Sequence, residues 1–343
     1  MDTARRGALI ANTLRLPCRA SRVVSVSGDE DVARAIDVAR RERLPIRALG
    51  DGSNVVLPPS LRALVLLVAD ESVSVLDDSP AQVTLRVGAG KNWHALVEET
   101  LRRGWYGLEN LALIPGRVGA APVQNIGAYG RELRDFTVAV HGSDLRTARG
   151  RSVSARQCQF AYRDSVFKRR LRDRVLIRAV DLRLSKTPDP HLVYPALRQR
   201  LKSGPYPETP RGVFDAVVAQ RRERLPDPAR RPNAGSFFKN PVLATALADR
   251  LARRFPDLPR FAQREAGAKL SAAWLIERCG LRGERQGQAL VSATHALVVE
   301  NAGGATQADV LALAERVQAR VYAAFGVQLV REPRVMAADA GDL

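Results

Sequence analysis

The spacing of apolar and polar positions changes several times along the chain, and each change marks an element. After Ser27, the stretch DEDVARAIDVARRERL repeats Val32, Ile36 and Ala39 at helical spacing and ends in basic residues, which predicts a capped amphipathic helix. PIRALG follows as a short strand, GDGSN (50–54) as a turn, and VVL, ALVLLVA and QVTLRVGAG as strands. NWHALVEETLRRG predicts a helix closed by Gly104, and TVAVHGS, SVSARQCQF and VLIRAVDLRL predict further strands up to Lys186. A proline-bearing link, KTPDPHLVYPALRQRLKSGPYPETP, leads into a different rhythm. There GVFDAVVAQRRERL, ATALADRLARRF, KLSAAWLIERCG and TQADVLALAERVQARVYAAFG read as helices, and SFFKN, HALVVEN and VQLVREPRVMA as strands. The fold class is α+β. A chain of 343 residues is long for one core and suggests two or three domains.

Composition narrows the classes. With 45% apolar and 26% charged residues, the chain is neither disordered nor fibrous. Its longest apolar run, Ala63 to Ala69, is far too short to span a bilayer, so no membrane insertion is expected. The first 20 residues show no secretory pattern, so the protein is expected to stay in the cytoplasm. Cys18, Cys158 and Cys279 are scattered without a C-x-x-C pair, which argues against a disulfide framework and against a zinc site. The net charge of +18 comes from arginines spread from Arg5 to Arg334, with acids mixed in and only 5% aromatics. A nucleic-acid binder would concentrate such charge in an aromatic-bearing stripe, so no nucleic-acid partner is expected; phosphate-bearing small molecules are favoured instead.

Four stretches can carry chemistry. GDGSN offers consecutive main-chain N–H groups and a hydroxyl, which suits a phosphate nest, although a hairpin turn needs the same residues. It is neither a dinucleotide fingerprint nor a Walker loop. From Gly107 to Gly130, glycines and prolines break a mostly apolar path, with Gly116, Gly119 and Gly127 around Gln124 and Asn125. Glycine permits close approach and the amides can read a heterocycle edge, so this run and the GDGSN nest could hold the ring and diphosphate of a flavin; a glycine-rich crossover is the alternative. In YRDSVFK, Arg163 can clamp a carboxylate through two parallel bonds or simply pair with Asp164.

NAGSFFKNP is the fourth. Inward phenylalanines would make this segment rigid, and Gly235 would leave the Ser236 hydroxyl uncovered and able to give up a proton; satisfaction by neighbouring backbone is the plainer alternative. No G-x-S-x-G elbow surrounds the serine, which disfavours a hydrolase. Glu332, in VREPRV, is either paired with an arginine or buried for a purpose.

Taken in order, NTLRLP, GDGSNVVL, LENLALIPGRVGAAPVQNIGAYG, YRDSVFK, LPDP with NAGSFFKNP, and a terminal Glu before Pro-Arg-Val resemble the UDP-N-acetylenolpyruvoylglucosamine reductase family, from about Asn12 to Val335. The resemblance implies a two-subdomain FAD-binding module of the vanillyl-alcohol oxidase type over 1–66 and 67–205, and a substrate-binding domain over 206–343. It implies noncovalent FAD held by Gly50, Gly52, Ser53, Asn54, Pro115, Gly116, Gly119, Gln124, Asn125 and Gly127, with NADPH as hydride donor. The substrate would be UDP-N-acetylglucosamine enolpyruvate, reduced to UDP-N-acetylmuramate for peptidoglycan synthesis by a monomer without a metal.

Residue roles follow from the same resemblance. Arg163 would clamp the enolpyruvyl carboxylate and, with Glu332, stabilise the enolate-like charge, while Ser236 protonates C2. Tyr194 matches the tyrosine that closes over substrate in the longer subtype; Asn240 and Arg224 fall where the diphosphate and uridine are contacted, and His295 either lines the same pocket or is a buried structural histidine. Arg224 departs from the usual lysine, and Val330-Arg331 replaces a frequent Glu-Pro before the glutamate. The alternative is another FAD-dependent oxidoreductase of the same fold, a sugar or alcohol oxidase. Those commonly tether the flavin through His or Cys, and neither residue occurs in GDGSN or in 107–130.

Overall fold

The computed structural model describes residues 5–261 and 266–342. Two compact units result, and neither is continuous in sequence. One takes Ala20–Asp51 and Arg62–Arg222 with residues up to Ala8; the other takes Leu9–Arg19, Gly52–Leu61 and the chain from Glu223 onward.

The first unit opens with a four-stranded sheet in the order Arg5–Leu9, Arg19–Val26, Ser60–Val68, Ile46–Leu49. Ile46–Leu49 runs parallel to Leu64–Leu67, and the connection between Arg19–Val26 and Ile46–Leu49 carries the helix Asp29–Glu42. That helix buries Val32, Ala35, Ile36 and Ala39 against Val24, Val26, Leu64 and Leu66, the stripe expected from its spacing. Its start differs from the expected serine cap. Gly28 is the N-cap, and the Asp31 carboxylate accepts the N–H groups of Ser27 (2.8 Å) and Gly28 (3.1 Å).

A second, antiparallel sheet of five strands follows, in the order Gly150–Ser154, Thr137–Asp144, Val175–Ser185, Gln82–Gly88, Val73–Asp78. The helix Trp93–Arg102 packs its Trp93, Leu96 and Val97 into the core beneath this sheet, with Val83, Leu85, Val87, Val180 and Leu182. SVSARQCQF is strand only over Gly150–Ser154, because the chain then turns to bury Cys158. The proline-bearing link contains a helix, Pro195–Ser203, started by a proline whose missing N–H has no partner to lose there. Burial pushes the thiols of Cys18 and Cys158 up to about 11 and about 12, which leaves both unreactive at neutral pH.

In the second unit a four-stranded sheet runs Asn233–Ser236, Val298–Asn301, Ala289–Val291, Arg285–Gln286. The long helix Gln307–Phe325 buries Val310, Leu313, Ala314, Val317 and Val321 in the core that the sheet shares with Phe237 and Phe238. The strand expected over VQLVREPRVMA is short. Only Arg334–Val335 pairs in a ladder, parallel to Val55–Val56, since Pro333 brings no N–H to the preceding segment. Among the described residues, no helix is long and apolar enough to cross a membrane.

The helix Gln307–Phe325 begins with a reciprocal cap: Asp309 N–H donates to Thr306 Oγ1 (3.1 Å), and the Asp309 carboxylate accepts the Thr306 N–H (2.9 Å). Thr306→Ala is expected to lower the unfolding free energy by about 1 kcal/mol in urea titrations. Backbone and hydroxyl bonds from Thr306 hold the Asp309 pKa below the usual carboxylate range. Its contribution to stability is therefore complete above the unfolded-state pKa of about 4 and is lost as pH falls through the lower folded value. Asp309→Asn should remove this part of the acid sensitivity, seen as a shallower fall of Tm below pH 4.

Candidate active site

In the first unit, two glycine loops are tied together by one arginine. Arg117, in IPGRVG, donates Nε to Asp51 Oδ1 of GDGSN (2.5 Å), and its Nη1 reaches Glu71 Oε1 (2.9 Å) and the Gly90 carbonyl (2.5 Å). The hydrogen bond to Asp51 raises the Arg117 pKa further, so this guanidinium keeps its charge. A Cβ on Gly50 would lie 3.7 Å from Ala120 Cβ and 3.8 Å from Arg117 Cβ, so the two loops are neighbours in space. Among the described residues, the main-chain N–H groups of Gly50, Asp51, Gly116 and Arg117 donate to no acceptor. Four such donors on adjoining glycine loops suit the oxygens of a diphosphate.

Held around these donors, the run from 107 to 130 is irregular but fixed. Trp93 N–H donates to the Gly116 carbonyl (3.0 Å) and its ring nitrogen to the Leu111 carbonyl (2.9 Å). Leu113 N–H donates to His94 Nδ1 (3.1 Å), an acceptor kept neutral because burial lowers the imidazole pKa. Gly119 is required by packing, since a Cβ there would sit 2.5 Å from Ala89 Cβ. Asn125 is fully buried; its amide donates to Glu132 and to the Ala161 carbonyl (both 3.1 Å) and accepts Arg134 N–H (3.0 Å). These bonds hold its side chain within the protein. Gln124 and Gly127 follow in the same run, half-buried, and Pro115 lies exposed before Gly116.

Arg163 stands against this loop. Its backbone is left-handed (φ 53), its Nη2 donates to the Gly127 carbonyl (3.0 Å), and its guanidinium lies 5.4 Å from the Tyr162 ring centre. Asp164 pairs instead with Arg169 (3.0 Å). Tyr194 packs edge-on against Tyr129, with ring centres 5.3 Å apart.

The second unit collects the remaining residues. Gly52 is left-handed (φ +63), and a Cβ there would come within 2.7 Å of the Ala11 oxygen and Asn12 Cα; NTLRLP is thus the surface that demands this glycine. Asn12 is itself buried and bonded both ways to Leu16. Ser53 and Asn54 lead into the Val55–Val56 strand, where the Asn54 carbonyl accepts Arg334 N–H (3.0 Å).

Ser236 owes its position to a bulge. Asn233 faces Glu300 while Ser236 faces Val298, three steps against two, with Gly235 at φ +70. A Cβ on Gly235 would meet nothing within 4 Å, so its conformation, not space, calls for glycine. Gly235 N–H donates to Asn233 Oδ1 (2.8 Å), which closes the turn. Phe237 and Phe238 are 0% and 1% exposed and brace the segment from below. The Ser236 hydroxyl makes no hydrogen bond among the described residues. SFFKN is not itself a ladder strand; it runs beside residues 330–332, with Lys239 N–H on the Val330 carbonyl (2.9 Å) and Glu332 N–H on the Phe237 carbonyl (2.8 Å). Ser236 and the buried Glu332 thus lie on adjacent segments.

Asn240 Oδ1 accepts Ala272 N–H (3.0 Å) at the start of the helix Ala272–Arg278. Arg224 ends the helix Pro210–Arg224, exposed, and its charge reaches His295. Burial first, then Arg282 and Arg224, lower the His295 pKa, so its imidazole is neutral near pH 7.

Such glycine loops on an α+β module define an FAD-binding protein, and an FAD binding domain family model matches residues 20–156. The model for the UDP-N-acetylenolpyruvoylglucosamine reductase C-terminal domain matches residues 227–336. UDP-N-acetylenolpyruvoylglucosamine reductase of Cupriavidus pinatubonensis is 45% identical over 95% of this chain and 96% of its own. That of Pseudomonas aeruginosa is 44% identical over 94% and 96%. The crystal structure of the enzyme from Thermus caldophilus superposes with a TM-score of 0.69 at 27% identity, covering 97% of this chain and 98% of that one. The chain belongs to the UDP-N-acetylenolpyruvoylglucosamine reductase family.

Asp51 and Arg117 were not singled out by sequence reasoning, although opposite charges inside two glycine loops were visible there. Asp51→Ala should weaken FAD retention about tenfold, because it strips a hydrogen-bonded partner from a half-buried guanidinium. Flavin released on ultrafiltration measures this. Gly119→Ala should cost about 1–3 kcal/mol of stability through overpacking against Ala89, read from denaturant midpoints.

Proposed function

We propose that the protein is the NADPH-dependent flavoenzyme that reduces UDP-N-acetylglucosamine enolpyruvate to UDP-N-acetylmuramate in peptidoglycan precursor synthesis. Family membership across nearly the whole chain carries this reading. The unpaired N–H groups of the two tied loops fit FAD, and Gly50, Gly52, Ser53, Asn54, Pro115, Gly116, Gly119, Gln124, Asn125 and Gly127 would hold it. Bound FAD supplies the hydride, taken from NADPH and delivered to C3 of the enolpyruvyl group.

This chain's residues manage charge and protons. Arg163 binds the enolpyruvyl carboxylate, a role supported by its fixed backbone and its anchor on Gly127. Charge that builds on that group during reduction is stabilised where it appears, by Arg163 and Glu332. Ser236 gives its proton to C2, a role supported by a hydroxyl that the protein does not otherwise use. Asn240 keeps its oxygen on a helix start and offers its NH2 to the diphosphate. Arg224 provides positive charge, neutral His295 provides a hydrogen bond, and Tyr194 closes over the sugar nucleotide. A cytoplasmic monomer agrees with the use of two nucleotides and with a net charge of +18, which opposes self-association.

Anaerobic mixing of NADPH-reduced protein with the enolpyruvyl nucleotide tests the activity: the flavin should return to yellow, and persistent bleaching refutes it. Ser236→Ala should leave reduction by NADPH nearly intact and slow reoxidation by the enolpyruvyl nucleotide about 10²–10⁴-fold. Equal losses in both half-reactions would remove the acid role. Glu332→Gln should likewise slow only the second half-reaction, and reoxidation at the wild-type rate would take Glu332 out of the chemistry.

A further inference from the structure

Asn110 joins two stretches of the chain that are far apart in sequence. It sits in the single 3-10 turn Glu109–Leu111 and is 1% exposed. Its Nδ2 donates to the Tyr129 carbonyl (3.0 Å), near the end of the glycine-rich run, and to the His191 carbonyl (2.9 Å), in the proline-bearing link. An amide nitrogen carries two hydrogens, so this bridge uses its whole donor capacity. An aspartate of the same size would bring no donor, and a leucine no polar atom at all.

The link lies directly on the run at this point. A Cβ on Gly130 would come 3.1 Å from His191 Nε2 and 3.9 Å from the Tyr194 main-chain nitrogen, and the Tyr194 ring meets the Tyr129 ring edge-on at 5.3 Å. Residues 188–193 belong to no strand or helix, so their placement depends on packing and on bonds from outside the segment. Arg198 Nε supplies one such bond, to the Leu192 carbonyl (3.0 Å), and Asn110 supplies another, to His191. Tyr194 follows three residues after His191 as the N-cap of the helix Pro195–Ser203, where its carbonyl accepts the N–H groups of Leu197 (3.1 Å) and Arg198 (3.0 Å). Its position is thus set from behind by the helix and from in front by the segment that Asn110 holds.

We propose that Asn110 is a positioning residue for the sugar nucleotide: its amide ties the link to the 107–130 run and so fixes where Tyr194 stands when it closes over the substrate. The inference rests on the proposed role of Tyr194. Asn110 itself meets no substrate and moves no proton; it acts through the His191 carbonyl and the three residues that follow. Without its donors two half-buried carbonyls lose a partner, the segment before Tyr194 samples other placements, and binding must then supply the ordering that the amide now provides.

A double-mutant cycle on the oxidised holoenzyme provides the test, with UDP-N-acetylmuramate titrated while flavin absorbance is followed. Asn110→Leu should weaken binding about tenfold. In the Tyr194→Ala background the same substitution should add no further loss, because nothing remains for the amide to place. Losses that multiply in the double variant would make Asn110 a structural residue and overturn the proposal. Wild-type affinity of Asn110→Leu beside a weakened Tyr194→Ala overturns it as well, and leaves the role of Tyr194 standing. Wild-type affinity of Tyr194→Ala would instead remove the role of Tyr194 and this inference with it. Should Asn110→Leu lose its flavin, Asn110→Ser, which keeps one donor and adds no bulk, carries the same cycle: a loss that vanishes in the Tyr194→Ala background supports the tie, and a loss that persists there overturns it. Hydrogen exchange gives a second readout. In the ligand-free Asn110 variant the N–H groups of Leu197 and Arg198 should exchange faster while those of the strand Val175–Ser185 keep their wild-type rates; equal acceleration of both would indicate general destabilisation and count against the proposal. Wild-type protein that does not bind UDP-N-acetylmuramate would defeat the proposed activity, a result separate from any behaviour of the variants.

Discussion

Main chain that is buried but joins no ladder must still find partners for its N–H and C=O groups, and the stretch from 107 to 126, before the short strand Gly127–Ala128, meets this demand in part with side chains. The carboxylate of Glu109 takes Gly107 N–H (2.9 Å), the Asn110 amide spans the carbonyls of Tyr129 (3.0 Å) and His191 (2.9 Å), and Ser165 bonds the Val123 carbonyl (2.7 Å). Burial raises the Glu109 pKa while these N–H bonds oppose the rise. Leu108, Leu111, Ala112, Val118 and Ala121 are meanwhile sunk in the core. Irregular backbone is thereby held in place, and among the described residues the N–H groups of Gly116 and Arg117 keep no protein acceptor.

The bulge at Ser236 applies the same principle inside a sheet. One extra residue in NAGS breaks the alternation that would have hidden the hydroxyl, and Asn233 restores the lost bonds by reaching Gly235 N–H and the carbonyls of Pro226 (3.1 Å) and Arg231 (2.7 Å). Two consecutive buried phenylalanines are tolerated because one core covers both. The rings meet edge to face, 5.4 Å apart, an arrangement that adds to their area burial. Rigidity beneath and an unused hydroxyl above are two results of one local irregularity.

Much of this was legible in the sequence, for identifiable reasons. Long amphipathic stripes such as those of Asp29–Glu42 and Gln307–Phe325 declare themselves, since packing agrees with periodicity. GDGSN and NAGSFFKNP were visible as departures from periodicity. Two-residue strands such as Val242–Leu243 and Arg260–Phe261 were not, because so short a segment has no period. The helix Pro195–Ser203 was hidden by the prolines around it, one of which starts it. Glycine carried an ambiguity of its own. Gly52 and Gly119 are demanded by Asn12 and Ala89, whereas Gly50 is demanded by no protein atom, and only coordinates separate these cases.

Arginine shows a further limit of reading letters. The excess of positive charge is real, but its residues do different things: Arg22 binds the Glu42 carboxylate, Arg86 forms two bonds to Asp181, and Arg178 meets Asp29 at 2.5 Å. These are cross-links, with a modest net effect on stability because desolvation offsets most of the attraction.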